Sequence, residues 1–162
     1  MLVTTFVDTN FGIFKMTGSE LGIREVVLTN HKEKADSKLP KPVVEAKKQL
    51  EEYFEGKRTD FSVKIDWSGA PDFHIKVWKE LLKIPFGRTT SYLAIAEKLG
   101  DKKAVRAVGQ ANKHNPIAII VPCHRVVAKN GDLQGYFYGV DMKRRLLEWE
   151  NPMQYGEQGS LF

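Results

Sequence analysis

An α+β chain in two parts is what the residue pattern predicts, and three observations predict it. Apolar and polar residues alternate over the first 29 positions, the period of strands with one buried face. From residue 73 onward, apolar residues recur at helical spacing instead. Between these regimes, Ser68-Gly69-Ala70-Pro71 forms a short Gly/Pro linker. The expected division is a scaffold domain over 1–70, a mostly helical domain over 71–152 and a tail over 153–162.

In the first part, residues 2–7, 11–16 and 21–28 read as three short antiparallel strands. Asp8-Thr9-Asn10 and Thr17-Gly18-Ser19 are the breaks between them. The polar stretch 31–41 reads as a loop. Val43, Val44, Ala46, Leu50 and Phe54 mark a helix over 42–54, with a proline near its start and Gly56 just past its end. Residues 61–67 alternate again and predict a strand. No cluster of reactive side chains appears in this part, so its expected role is a scaffold.

In the second part, Val77, Trp78, Leu81 and Leu82 share one face of a helix over 73–82. Thr90 or Ser91 can cap a helix that runs to Leu99, with Leu93, Ile95, Ala96 and Leu99 inward. Gly100-Asp101 makes a turn into a second short helix over 102–112, and the two together are a helix-turn-helix pattern. That second helix is basic at Lys102, Lys103 and Arg106 and small at Ala104, Ala107, Gly109 and Ala111. Small residues permit close approach and basic ones meet phosphates, whereas a reader of base edges carries longer polar side chains. Packing against its own domain is the alternative for such a face. The apolar run from Pro116 to Val127 predicts a strand, with Lys129-Asn130-Gly131-Asp132 as the turn of a short hairpin. A Gly- and aromatic-rich loop over 134–139 and a helix over 140–149 follow, and 151–162 reads as an unstructured polar tail.

Charge is unevenly placed. Residues 73–150 carry 14 Lys and Arg against 7 Asp and Glu, while 1–72 carry 11 against 12. A basic half is an electrostatic footprint for a polyanion, or else a solvated lysine-rich face. No apolar run approaches the ~20 residues that span a bilayer, and no signal-like start is present, so a membrane is not an expected partner. A single cysteine excludes an internal disulfide and a multi-cysteine zinc site. It fits a reducing cytoplasm or nucleus, with no metal and no cofactor expected.

That cysteine, Cys123, follows the apolar run and a proline and precedes His124 and Arg125. A thiol reacts as its thiolate and needs a base or a lowered pKa. His124 is the nearest base, although neighbours on a strand face opposite ways, so a water or a local bend would have to carry the proton. Glu150, at the end of the last helix, is the candidate carboxylate behind the histidine. On these residues alone an inert buried thiol is the competing reading.

Pro122-Cys123-His124-Arg125-Val126 resembles the active-site signature of the O6-alkylguanine-DNA alkyltransferases. The resemblance extends through Phe86-Gly87, Thr90-Ser91-Tyr92, residues 104–109, Asn115-Pro116-Ile117 and the final helix with Leu146-Leu147 and Glu150, about half the chain. It implies that the first part is a ribonuclease-H-like α/β roll and that the second carries a helix-turn-helix and a short active-site hairpin. It further implies stoichiometric, irreversible transfer of the alkyl group from O6-alkylguanine, and from O4-alkylthymine, in double-stranded DNA to Cys123 by a monomer, after the nucleotide is flipped into the pocket. His124, through a water and backed by Glu150, would generate the thiolate. Asn115 would tie the recognition helix to the active-site segment. Tyr92 would press on the target phosphate and serve guanine N3, and Arg106 would fill the gap in the stack. Ser91, Lys103, Ala107, Gln110 and Arg125 are the further expected DNA contacts. Asn112, Val126, Tyr136, Phe137 and Tyr138 would line the substrate pocket. The carbonyls of Cys123 and Val126 would face the exocyclic amine, and the Phe137 amide would face O6. Phe137 and Tyr138 depart from the smaller or basic residues of many relatives.

Three other functions compete. A non-catalytic alkyltransferase-like lesion binder would replace the cysteine, which is present. A sequence-specific regulator is disfavoured by the small-residue helix. A Cys-His hydrolase would more often set its nucleophile at a helix N-terminus.

Overall fold

The structure is a computed structural model, and it describes residues 1–133 and 135–156. It has the mixed α+β class expected, in two compact units. One comprises residues 1–70 with 116–120, the other 71–115 with 121 onward.

The first unit is an antiparallel meander of β1 (Val3–Thr9), β2 (Gly12–Ser19) and β3 (Gly22–Thr29), crossed by α1 (Lys41–Phe54). Two-residue turns at Asn10-Phe11 and Glu20-Leu21 set a register that pairs Val7 with Phe14 and Met16 with Val26. Alternation then buries Val7, Phe14, Met16, Ile23 and Val26. Helix α1 buries Val43, Ala46, Leu50, Tyr53 and Phe54, and the Phe54 ring lies 5.2 Å from Phe14 and 5.3 Å from Phe11. Pro42 fits because the first turn has no use for its missing N–H.

Two expected strands are corrected. Residues 61–67 form no strand. They touch β3 through one bridge, with the Ile23 N–H donating to Lys64 O at 2.8 Å and the Asp66 N–H to Ile23 O at 2.9 Å. Gly22 makes this approach possible: it has φ +127°, and a Cβ there would lie 2.7 Å from Lys64 O. The run 116–127 is likewise no continuous strand. Pro116 and Ala118 bracket Val26 with bonds of 3.0 and 2.9 Å, and the chain then turns at Ile119, a β-branched residue at φ +71°. Cys123–Arg125 is a single 3-10 turn.

The second unit holds α2 (Asp72–Leu81), β4 (Thr90–Ser91), α3 (Tyr92–Lys98), α4 (Val105–Lys113), β5 (Val126–Val127), α5 (Val140–Glu150) and α6 (Pro152–Tyr155). Ser91 Oγ caps α3 by accepting from the Ala94 N–H at 3.1 Å. Asp101 caps the turn that leads into α4. Buried Trp78 donates its indole N–H to Ala111 O at 2.7 Å, joining α2 to α4. The hairpin after Cys123 is also corrected. The turn at 129–132 forms, but β5 pairs in parallel with β4, Thr90 opposite Val126, and no return strand follows among the described residues. The tail is not structureless throughout: Asn151 caps α6, accepting from the Gln154 N–H at 3.2 Å, with Pro152 at its first position. Residues 157–162 lie outside the described residues, as does Gln134. No helix among the described residues is long and apolar enough to cross a membrane.

Candidate active site

Cys123 opens the 3-10 turn, 7% exposed. Its N–H donates to Val121 O at 2.8 Å, and Asn115 Nδ2 donates to the same carbonyl at 2.8 Å. Asn115 therefore ties the chain after α4 to the residues just before the cysteine. The Cys123 carbonyl accepts from the Val126 N–H and, at 3.4 Å, from Asn112 Nδ2. Burial pushes the thiol up. The Asn115 amide, the Lys143 ammonium and the Tyr136 hydroxyl offset only part of that, so the thiol stays above its ordinary value. Tyr92 begins α3 half-buried, its phenol raised by burial and by the charge of Cys123 and lowered by a bond from Asn112.

The 3-10 turn resolves the problem of two neighbours on opposite strand faces, since the chain is not extended there. His124 is fully buried. Its Nε2 meets Glu150 Oε2 at 2.8 Å, and its Nδ1 is buried with no partner among the described residues. Glu150 also receives Arg125, Nε at 2.8 Å on Oε1 and Nη2 at 2.9 Å on Oε2, a bidentate fork. Burial alone would raise the Glu150 carboxyl, but His124 and Arg125 hold it well below the usual carboxylate range.

Arg125 was expected on DNA, and the structure corrects that. It is 5% exposed, its third nitrogen donates to Ile84 O at 2.6 Å, and its guanidinium lies over the Phe86 ring. Held in this way, it orients Glu150. The exposed expectations on α4 share one face: Arg106, Ala107 and Gln110 are all open, with Lys102 and Lys103 just before the helix and Lys113 at its end. Val108, Ala111 and Asn112 occupy the opposite, buried face. Ser91 is partly exposed. In the loop before α5, Tyr136 and Tyr138 are partly buried with rings 5.7 Å apart, while Phe137 is 70% exposed with its ring 4.9 Å from Tyr138. Val126 is fully buried.

One residue escaped the sequence reading. Lys143 is fully buried on α5, and its ammonium donates to the carbonyls of Leu133 and Gly135. In the sequence it stands in a basic run with Arg144 and Arg145. Its spacing of 3, 4 and 7 residues from Leu146, Leu147 and Glu150, all buried, marks the inward face. Among the described residues no three His, Cys, Asp or Glu side chains gather as a metal would require.

An α+β protein with an exposed basic helix and one thiol buried beside a His-Glu-Arg network has the build of a DNA-binding protein with a reactive cysteine. Comparison with known proteins makes this specific. Residues 2–67 match the ribonuclease-like domain of 6-O-methylguanine DNA methyltransferase, and 72–152 match its DNA binding domain. The chain belongs to the 6-O-methylguanine DNA methyltransferase family. A methylated-DNA–protein-cysteine methyltransferase of Mycobacterium bovis is 56% identical over 102 residues, 63% of this chain and 61% of that protein, so the match spans under two thirds of that relative. One from Methanosarcina barkeri is 40% identical over 151 residues, 89% and 94% of the two chains. The crystal structure of the O6-methylguanine methyltransferase of Mycobacterium tuberculosis superposes with a TM-score of 0.81 at 38% identity over 100% of both chains. A structure of the M. tuberculosis protein in complex with DNA gives 0.79 at 42% identity over 91% of each.

Proposed function

We propose that the protein repairs DNA by direct reversal, taking the alkyl group of O6-alkylguanine, and of O4-alkylthymine, onto Cys123. The observation that carries this reading is the buried thiol at the head of the turn whose next two side chains are locked onto Glu150. Thiolate attack on the alkyl carbon breaks its bond to O6 and forms a thioether, and the guanine leaves with the electron pair. His124 accepts the thiol proton through a water at Nδ1. Glu150, fixed by Arg125, accepts a hydrogen bond from Nε2 and stabilises the imidazolium. Asn115 holds the 121–123 backbone. Tyr92, half-buried at the start of α3 and sensitive to the charge of Cys123, meets the base and its phosphate.

Access requires the nucleotide to leave the stack, which costs a few kcal/mol. Arg106 fills the gap, Lys103 and Ser91 meet phosphates, and Ala107 and Gln110 lie against the groove. Asn112, Val126, Tyr136, Phe137 and Tyr138 receive the flipped base, with Phe137 and Tyr138 setting the width for the alkyl group. The thioether is stable, so each monomer acts once, in a reducing cytoplasm that keeps the thiol free.

The decisive test is mass spectrometry of protein incubated with duplex DNA carrying one O6-methylguanine. The peptide holding Cys123 gains one methyl group per lesion. An unmodified peptide with the lesion bound intact points instead to a non-catalytic lesion binder.

A further inference from the structure

Two buried side-chain polar atoms have no hydrogen-bond partner among the described residues, His124 Nδ1 and Asn112 Oδ1. The first is taken up by the proton transfer proposed above. The second is not. Asn112 is 6% exposed and lies on the inner face of α4 with Val108 and Ala111. Asparagine is a poor helix former, and a buried amide oxygen left unpaired is costly, so an apolar side chain would suit this position better on packing alone.

The amide has one sensible orientation. Its Nδ2 donates to the Cys123 carbonyl at 3.4 Å, and turning it over would set two oxygens against each other. The backbone is held there as well, because the Asn115 N–H donates to Asn112 O at 3.3 Å. Oδ1 is thus a fixed acceptor on the side chain that touches the nucleophile's own carbonyl. That carbonyl is one of the two acceptors expected for the exocyclic amine. Its two lone pairs are already used, by the Val126 N–H and by Asn112 Nδ2.

The chemistry of the lesion says what can satisfy Oδ1. Alkylation at O6 removes the hydrogen from N1, and N3 and N7 only accept. The 2-amino group is then the one donor left on the base. We propose that Asn112 Oδ1 accepts a hydrogen bond from the 2-amino group of the flipped O6-alkylguanine and is a specificity-determining contact to the base. The orphaned oxygen is completed only when a 2-aminopurine enters. The assignment rests on the reading of Cys123 as the alkyl acceptor.

Single-turnover transfer to the full chain tests it, from duplexes carrying O6-methylguanine or O6-methylhypoxanthine, which lacks only the amine. Wild-type protein should favour the guanine lesion by about tenfold, and Asn112→Leu or Asn112→Ala should cut that preference by about fivefold. Loss of the tie to the Cys123 carbonyl slows both substrates alike, so an unchanged preference in the variants assigns Asn112 to packing and overturns the contact. Equal rates on the two lesions in wild-type protein overturn it too, and that result needs no variant to fold. The mass of the Cys123 peptide from the same reactions reports the acceptor reading separately. If neither lesion methylates it, that reading fails. The relative affinities of wild type and variants for the two duplexes, by fluorescence anisotropy, then decide the amine contact.

Discussion

At the scale of single residues, the site is a study in how buried charges are kept. Glu150 is 6% exposed, and burial works against its charge, yet His124 and Arg125 meet it at 2.8 to 2.9 Å. Replacing it by Gln keeps the volume and removes the charge, which strands the buried Arg125 guanidinium. The expected loss is about 3–5 kcal/mol, read by denaturant unfolding. The same carboxyl sets an acid limit. Its folded value lies below its ordinary value of 4.5, so its contribution is complete above that pH and is lost as pH falls toward the folded value. Unfolding curves from pH 7 to pH 3 should show wild-type stability falling below about pH 4.5, with a shallower fall in Glu150→Gln. Parallel curves would remove Glu150 from the acid response.

At the scale of elements, α4 divides its two faces cleanly. Val108, Ala111 and Asn112 are buried, while Arg106, Ala107 and Gln110 stand open. If Arg106 serves only to hold the duplex open, Arg106→Ala should slow repair of O6-methylguanine in duplex DNA far more than reaction with free O6-benzylguanine. Single-turnover rates on the two substrates measure this, and equal losses would exclude the finger role. This helix, like α1, α2, α3 and α5, was legible because apolar residues recur at 3.6-residue spacing between caps and breakers. The runs 61–67 and 116–127 were not. Their apolar residues report burial, and burial is shared by strands and by irregular chain packed into a core. Nothing in Ile119 announces a positive φ, and nothing at Cys123 announces a 3-10 turn. Cys123, His124 and Glu150 could be named from residue type and order. Arg125 could not be placed, because a guanidinium at a basic surface and one pinned on a buried carboxylate look alike in one dimension. Lys143 was hidden for the same reason.

At the scale of the whole molecule, charge is segregated along the chain, with the net positive balance in residues 73–150 and a near-neutral stretch before them. The small exposed side chains of α4 offer few groups for reading base edges, so affinity must come mostly from phosphates. Lys102, Lys103 and Lys113 are the exposed lysines on and beside that helix. If each neutralises one phosphate, log affinity falls with log salt at a slope of about −2.7, a loss of about 40-fold between 50 and 200 mM. Fluorescence anisotropy with undamaged duplexes of unrelated sequence measures both halves of this expectation. The slopes should agree between sequences, and each Lys→Ala change should reduce the slope by about 0.9. Binding that is flat in salt, or strong for one sequence only, would move recognition from the phosphate backbone to the bases. That outcome would favour a regulator over a repair protein that must search every guanine.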